Sequence, residues 1–223
     1  MPRPLALAAW ALLACAAQAQ IPQGFRPIFN GRNLKGWHVS RINHHGTTLN
    51  ARAVNGELVL QQNPIGEGGI LLTDKRYRDF ELYLEVKPDW GCDGGLFLRS
   101  NEEGNAYQIT IDYMIRNSVG SLITEGIPAL TGSGQRRPPD WQKIWKRDEW
   151  NSFRVRMTGE APHVTGWLNG EQIIDFTDGA NHALGGARDG MIALQLHFTN
   201  QTTPRSIPLG VHRFRNIAIK ELN

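Results

Sequence analysis

The chain has 223 residues, 40% of them hydrophobic, with 24 Gly and 12 Pro, which is ordinary globular composition. Its formal net charge is only +3 and no run of Lys or Arg occurs, which argues against a nucleic-acid partner and favours a neutral or weakly acidic ligand. Beyond the N-terminal stretch, no apolar run is long enough to cross a bilayer as a helix, so no transmembrane segment is expected.

In chain order, "MPRPLALAAWALLACAAQAQ" opens with one basic residue, Arg3, followed by an apolar run from Leu5 to Ala17 and the small-x-small pattern Ala17-Gln18-Ala19. That describes a secretory signal peptide over residues 1–19, hence a secreted or periplasmic protein. Leu12-Leu13-Ala14-Cys15 loosely resembles a lipobox, so lipoprotein anchoring at Cys15 is the alternative. The remaining residues, 20–223, fit one domain. Without the signal, Cys92 is the only cysteine, which excludes an internal disulfide and leaves the core to hold the fold.

From Glu57 onward the dominant period is two. "ELVLQQ", "GGILLT", "DFELYLEVK", "GGLFLRS", "AYQITIDY", "GSLIT", "NSFRVRMTG", "HVTGWLNGEQIIDF", "GMIALQLHF" and "FRNIAIKEL" read as strands bounded by turn residues. Asn169-Gly170 marks a hairpin. No amphipathic helix of three turns appears, and strands at this density predict an all-β sandwich. Residues 125–148 form a long Gly- and Pro-rich connection carrying Trp141 and Trp145, placed to stack on a sugar ring.

Three strands carry polar groups on the face away from their apolar stripe: Arg99, then Gln108, Thr110 and Asp112, then Gln195 and His197. If the strands share a sheet, these form a patch of guanidinium, amide, carboxylate and imidazole, the groups that orient sugar hydroxyls and carbonyls. Taken singly, each reads as a solvated strand face. Gly95 and Ala193 between them leave room for a ligand to approach. His44-His45 has no carboxylate or third His at ligand spacing and reads as a plain loop pair. Glu81 and Glu85 read as solvated. No pair of carboxylates in the placement of retaining glycosidases is evident, nor a nucleophile elbow, P-loop or dinucleotide motif.

"FNGRNLKGW" (29–37), "YRDFELYLEVK" (77–87), "DGGLFLRS" (93–100), "YQITID" (107–112), "EWNSFRVRMTG" (149–159), "WLNGEQIIDFTD" (167–178), "GMIALQLHF" (190–198) and "FRNIAIKEL" (214–222) occur in that order. Together they resemble the 3-keto-disaccharide hydrolase domain family. The resemblance implies a concanavalin A-like jelly-roll β-sandwich of two antiparallel sheets with a carbohydrate ligand on its concave face. It implies action on glycosides oxidised to a ketone at sugar C3, where the ketone acidifies the C2 proton and lets the C1 substituent leave by elimination. Carried over position by position, the site comprises Arg99, Gln108, Asp112, Asn151, Gln195 and His197. His197 or Asp112 would transfer the proton, with an imidazole pKa near 6.5 suiting a base. Arg99 and Gln195 would stabilise the enolate or hold hydroxyls, and Asn151 binds substrate or pins its own loop. Position 108 is Gln where many relatives carry Glu. No cofactor is evident; one Asp, one His and several amides could hold a divalent cation, but no spacing demands it. The competing reading is a non-catalytic carbohydrate-binding module using the same face. A structural sandwich in the cell envelope is a third.

Overall fold

The computed structural model describes residues 21–113, 118–199 and 209–222. The expected signal peptide, with Cys15, lies outside the described residues. Strands β1 (Arg26–Pro27), β2 (Trp37–Val39), β3 (Asn50–Val54), β4 (Glu57–Gln61) and β5 (Gly69–Tyr77) lead into β6 (Phe80–Pro88), β7 (Asp93–Ser100), β8 (Ala106–Asp112) and β9 (Leu122–Glu125). Then come β10 (Ser133–Gln135), a one-turn helix α1 (Trp141–Ile144), β11 (Asn151–Thr158), β12 (His163–Leu168), β13 (Glu171–Thr177), β14 (Gly190–Leu196) and β15 (Val211–Glu221).

All strand pairs are antiparallel, in two sheets that pack as a jelly-roll sandwich of the concanavalin A-like kind. The front sheet runs β2-β5-β14-β7-β8-β9 and the back sheet β10-β13-β12-β11-β6-β15-β4-β3, with β1 sharing the β4 edge of β15. Strand β11 shows why the period of two is obeyed: Asn151, Phe153, Val155 and Met157 are buried while Arg154 and Arg156 point outward. Asn169 and Gly170 both take positive φ (51° and 89°), as a two-residue hairpin turn between β12 and β13 requires. Between the sheets, Leu96, Ile109, Ile111, Leu194 and Leu196 of the front meet Leu82, Leu84, Phe153, Val155 and Ile219 of the back. Glu81 and Glu85 are not solvated as expected. Both are buried, because Arg154 and Arg215 close over their carboxylates.

The front sheet departs from the simple one-face-wet pattern. Strands β7, β8 and β14 are buried along their whole length. With the neighbouring strand β5, they carry on the outer face a second apolar cluster of Ile70, Leu72, Phe97, Ala106, Met191 and Ala193. The polar residues beside it are therefore enclosed rather than washed by solvent.

His212 on β15 is wholly buried among these layers, its ring edge close to where a Cβ on Gly94 would lie. Neither ring nitrogen meets a partner of good geometry among the described residues. Burial pushes its pKa down to about 4, outweighing the opposing influence of the Gln195 carbonyl and Asp89. The unfolded chain, with an ordinary imidazole near 6.5, binds the proton first. Stability carried by the neutral ring is thus complete above about pH 6.5 and falls by about 3 kcal/mol as pH drops toward 4. His212→Leu is expected to flatten that acid limb without lowering the melting temperature at pH 7, since it removes a buried polar group lacking partners. Melting curves of both proteins from pH 4 to 8 check it; parallel limbs would show that His212 does not carry the acid sensitivity.

Candidate functional site

The register of the front sheet sets the polar groups in rungs. Asp93 pairs with Asp112 across β7 and β8, and the His197 backbone N–H donates to the Asp93 carbonyl at 2.9 Å. One rung thus presents an imidazole and two carboxylates on three neighbouring strands. The next rung sets Gln195 beside Gly95, and Gly95 beside Thr110. The one after it sets Ala193 beside Phe97, and Phe97 beside Gln108.

Gly95 matters for what its neighbour does. A Cβ there would stand 2.3 Å from Gln108 Nε2, so only glycine lets the Gln108 side chain lie across β7. Gln108 Nε2 then donates to Gln195 Oε1 at 2.8 Å, and the Gln195 amide nitrogen reaches the His45 ring at 3.1 Å. The room expected at Gly95 is taken by Gln108, and Ala193 lies within the outer apolar cluster. Gln108 Oε1 is buried with no hydrogen-bond partner among the described residues.

His197 sits just past β14. Its Nδ1 is 2.8 Å from the Phe198 carbonyl. A carbonyl only accepts, so Nδ1 carries the proton in the neutral ring and the lone pair resides on Nε2. Loop residues His44 and His45 and the β9 residue Glu125 complete the enclosure. Together with the Asp93, Asp112 and His197 rung and the Gln108–Gln195 bridge, they line one cavity of about 400 Å³.

Five of the residues singled out in the sequence meet in that cavity: Gln108, Thr110, Asp112, Gln195 and His197. Four lie elsewhere. Arg99 takes φ of 51° at a β-bulge where β7 slips against β14, which turns its side chain toward the strand ends. Its guanidinium donates to the Arg78 carbonyl (2.8 Å), Asp79 Oδ1 (2.9 Å) and the Gly159 carbonyl (2.9 Å) and is completely enclosed. Asn151 is a structural amide. Its Oδ1 accepts the Lys146 N–H at 2.8 Å and its Nδ2 donates to the Lys146 and Glu149 carbonyls, which closes the turn before β11. Trp141 and Trp145 are buried in the core, where both pack on Tyr113 and Trp145 also meets Phe153. They dock the long connection instead of offering a stacking platform.

Reading the sequence alone missed Asp93 and the trio His44, His45 and Glu125. A signal for Asp93 existed: folding the β7–β8 hairpin about Glu102-Glu103 sets Asp93 opposite Asp112. None existed for Glu125, because no local period links β9 to the loop that carries the histidines.

An enclosed set of imidazole, carboxylate and amide groups on the outer face of a jelly-roll sheet defines the class: a β-sandwich with a cavity built for a polar ligand. The chain belongs to the family of 3-keto-alpha-glucoside-1,2-lyase-like domains, whose sequence profile matches residues 24–220. No curated protein sequence matches at a significant level. Among solved structures, the fold is similar to a protein from Parabacteroides distasonis proposed to be a glycosyl hydrolase, at 19% identity and TM-score 0.58, covering 90% of this chain and 94% of that one. It is also similar to the carbohydrate-binding module CBM66 from Bacillus subtilis, at 12% identity and TM-score 0.56, with 83% and 96% of the two chains covered. A β-1,3-glucanase from Mycobacterium marinum matches at 12% identity and TM-score 0.54, with 85% and 93% covered. At these identities the three likenesses establish the fold.

Proposed function

We propose that the protein is an exported enzyme acting on glycosides that carry a ketone at sugar C3. The observation that carries this reading is the rung of His197, Asp93 and Asp112, in which hydrogen bonding of Nδ1 to the Phe198 carbonyl gives His197 a basic Nε2. The family description supports the substrate class. In the first step His197 takes the C2 proton, and the C–H electrons pass into the C2–C3 bond as the ketone becomes an enolate. Those electrons then form the C1–C2 double bond as the C1–O bond breaks. An Asp93 or Asp112 carboxyl protonates the departing oxygen. Addition of water, hydroxyl at C1 and proton at C2, restores the 3-keto sugar, so the sum is hydrolysis. The Gln108 and Gln195 amides stand beside this rung, placed to orient sugar hydroxyls and the developing enolate.

A second reading is favoured by one feature that reading the sequence overlooked. Directly opposed residues of an antiparallel pair have Cβ atoms about 5 Å apart, so Asp93 and Asp112 offer two neighbouring carboxylates, the equipment of direct glycoside hydrolysis. One experiment separates the two. The purified protein is incubated in D2O with a 3-keto-glucoside and, in parallel, with the unoxidised glucoside. The elimination reading expects deuterium at C2, a conjugated 2-hydroxy-enone or released aglycone from the keto compound alone. Aglycone released from both compounds without C2 exchange would favour direct hydrolysis. Binding with neither exchange nor release would make the cavity a carbohydrate-binding site.

A further inference from the structure

Ile65 is a large apolar side chain, 61% exposed, on the turn between β4 and β5. A single exposed isoleucine is ordinary on a protein surface. This one is not alone: with Phe198, Thr47 and Thr199 it lines a groove of about 570 Å³. His44, His45 and Phe198 line both that groove and the cavity of about 400 Å³ that holds His197, so the two spaces meet along one wall. Their chemistry differs. The cavity presents carboxylates, amides and imidazoles, whereas Ile65, the Phe198 ring and the threonine methyls give the groove an apolar floor, with Glu67 exposed to solvent beside them.

The turn that carries Ile65 is fixed relative to the proposed base. Gln62 holds it from both sides: its Oε1 accepts the Gly66 N–H at 3.0 Å, and its Nε2 donates to the His197 carbonyl at 3.1 Å. The Gly66 carbonyl in turn accepts the Thr199 N–H at 2.8 Å. Behind the turn, a Cβ on Gly68 would stand 2.1 Å from the Leu196 carbonyl oxygen, so only glycine lets the two segments pack this closely. An apolar side chain is thus held in place by the same backbone that positions His197.

We propose that this groove is the leaving-group subsite, and that it selects an apolar ring as the C1 substituent over a second sugar. The inference rests on the proposed elimination, in which the substituent that departs is bonded to C1, next to the C2 carbon that His197 deprotonates. That substituent lies within a few bonds of His197, and the groove begins one ring away: the Phe198 ring centroid is 4.3 Å from that of His197. A second sugar would bring hydroxyls that Ile65 and Phe198 cannot pair, and burying them unpaired costs free energy. An apolar ring gains from every contact that removes it from water.

The test compares the methyl and benzyl glycosides of one 3-keto sugar in one anomeric form. Methanol and benzyl alcohol have nearly equal acidity, so a difference in kcat/KM reports recognition of the substituent rather than the ease of its departure. Wild type is expected to favour the benzyl compound at least about tenfold, and Ile65→Ser should shrink that preference to about threefold or less. Leu184→Ser, at an exposed apolar residue that does not line the groove, should keep the wild-type preference. Both side chains are about half exposed or more, so both variants fold. Calorimetric binding of the unoxidised methyl and benzyl glucosides and of a glucose disaccharide reads the groove without turnover. No preference for the benzyl compound in either measurement, a preference that survives Ile65→Ser in full, or tighter binding of the disaccharide would overturn the proposal. C2 exchange at equal rates on both glycosides would leave the 3-keto chemistry standing without the selective groove. Benzyl-selective binding that Ile65→Ser abolishes, with no exchange on any keto compound, would leave the groove standing without that chemistry.

Discussion

Replacing His197 by Asn is expected to lower turnover of a 3-keto-glycoside by about a hundredfold to ten-thousandfold, the usual worth of a positioned general base. Asparagine keeps a polar group of similar reach but has no basic lone pair, so the loss should fall on kcat while KM changes little. Deuterium exchange at C2 should fall in parallel, because it reports the same proton transfer without leaving-group departure. Asp112→Asn should act differently: it removes a proton donor for the departing oxygen, so release of a poor leaving group suffers more than C2 exchange does. Steady-state kinetics and exchange on the same samples check both. A fall below tenfold for both variants, about 1.4 kcal/mol in barrier, would take this rung out of the reaction.

Asp79→Asn is expected to destabilise the fold by about 3–5 kcal/mol while leaving the kcat of the folded protein unchanged. Arg99 has no exposed side-chain surface, and among the described residues the carboxylate it pairs with is Asp79 at 2.9 Å. Asparagine preserves the shape of Asp79 but removes the charge, leaving a buried guanidinium held by the Arg78 and Gly159 carbonyls alone. Burial already pulls that guanidinium's pKa down, against the Asp79 charge that holds it up. Urea unfolding gives the stability, and kinetics at low denaturant give kcat. A large fall in kcat with normal stability would return Arg99 to the catalytic role that its place beside the polar stripe suggested.

The fold was legible because the period of two is a local property. Tyr107, Ile109 and Ile111 declare their common face from spacing alone, and Asn169-Gly170 declares its hairpin because few other pairs tolerate two positive φ values. The polar stripe of Gln108 and Asp112 and its counterpart at Gln195 and His197 were visible for the same reason.

What alternation does not carry is where a side chain goes once the strand bends or the chain turns. Arg99 belongs by spacing to the polar face, yet a bulge at positive φ sends it to Asp79. Trp141 and Trp145 sit in a loop by composition, yet their apolar area drives them into the core. The strands, their buried faces and the existence of a polar stripe were determined by the sequence itself, through interactions between near neighbours. The pairing of Asp93 with Asp112 follows from the β7–β8 hairpin, but the lid of His44 and His45 and the approach of Glu125 were decided only by the tertiary structure. They depend on sheet register and loop closure, which bring together residues that no local pattern connects.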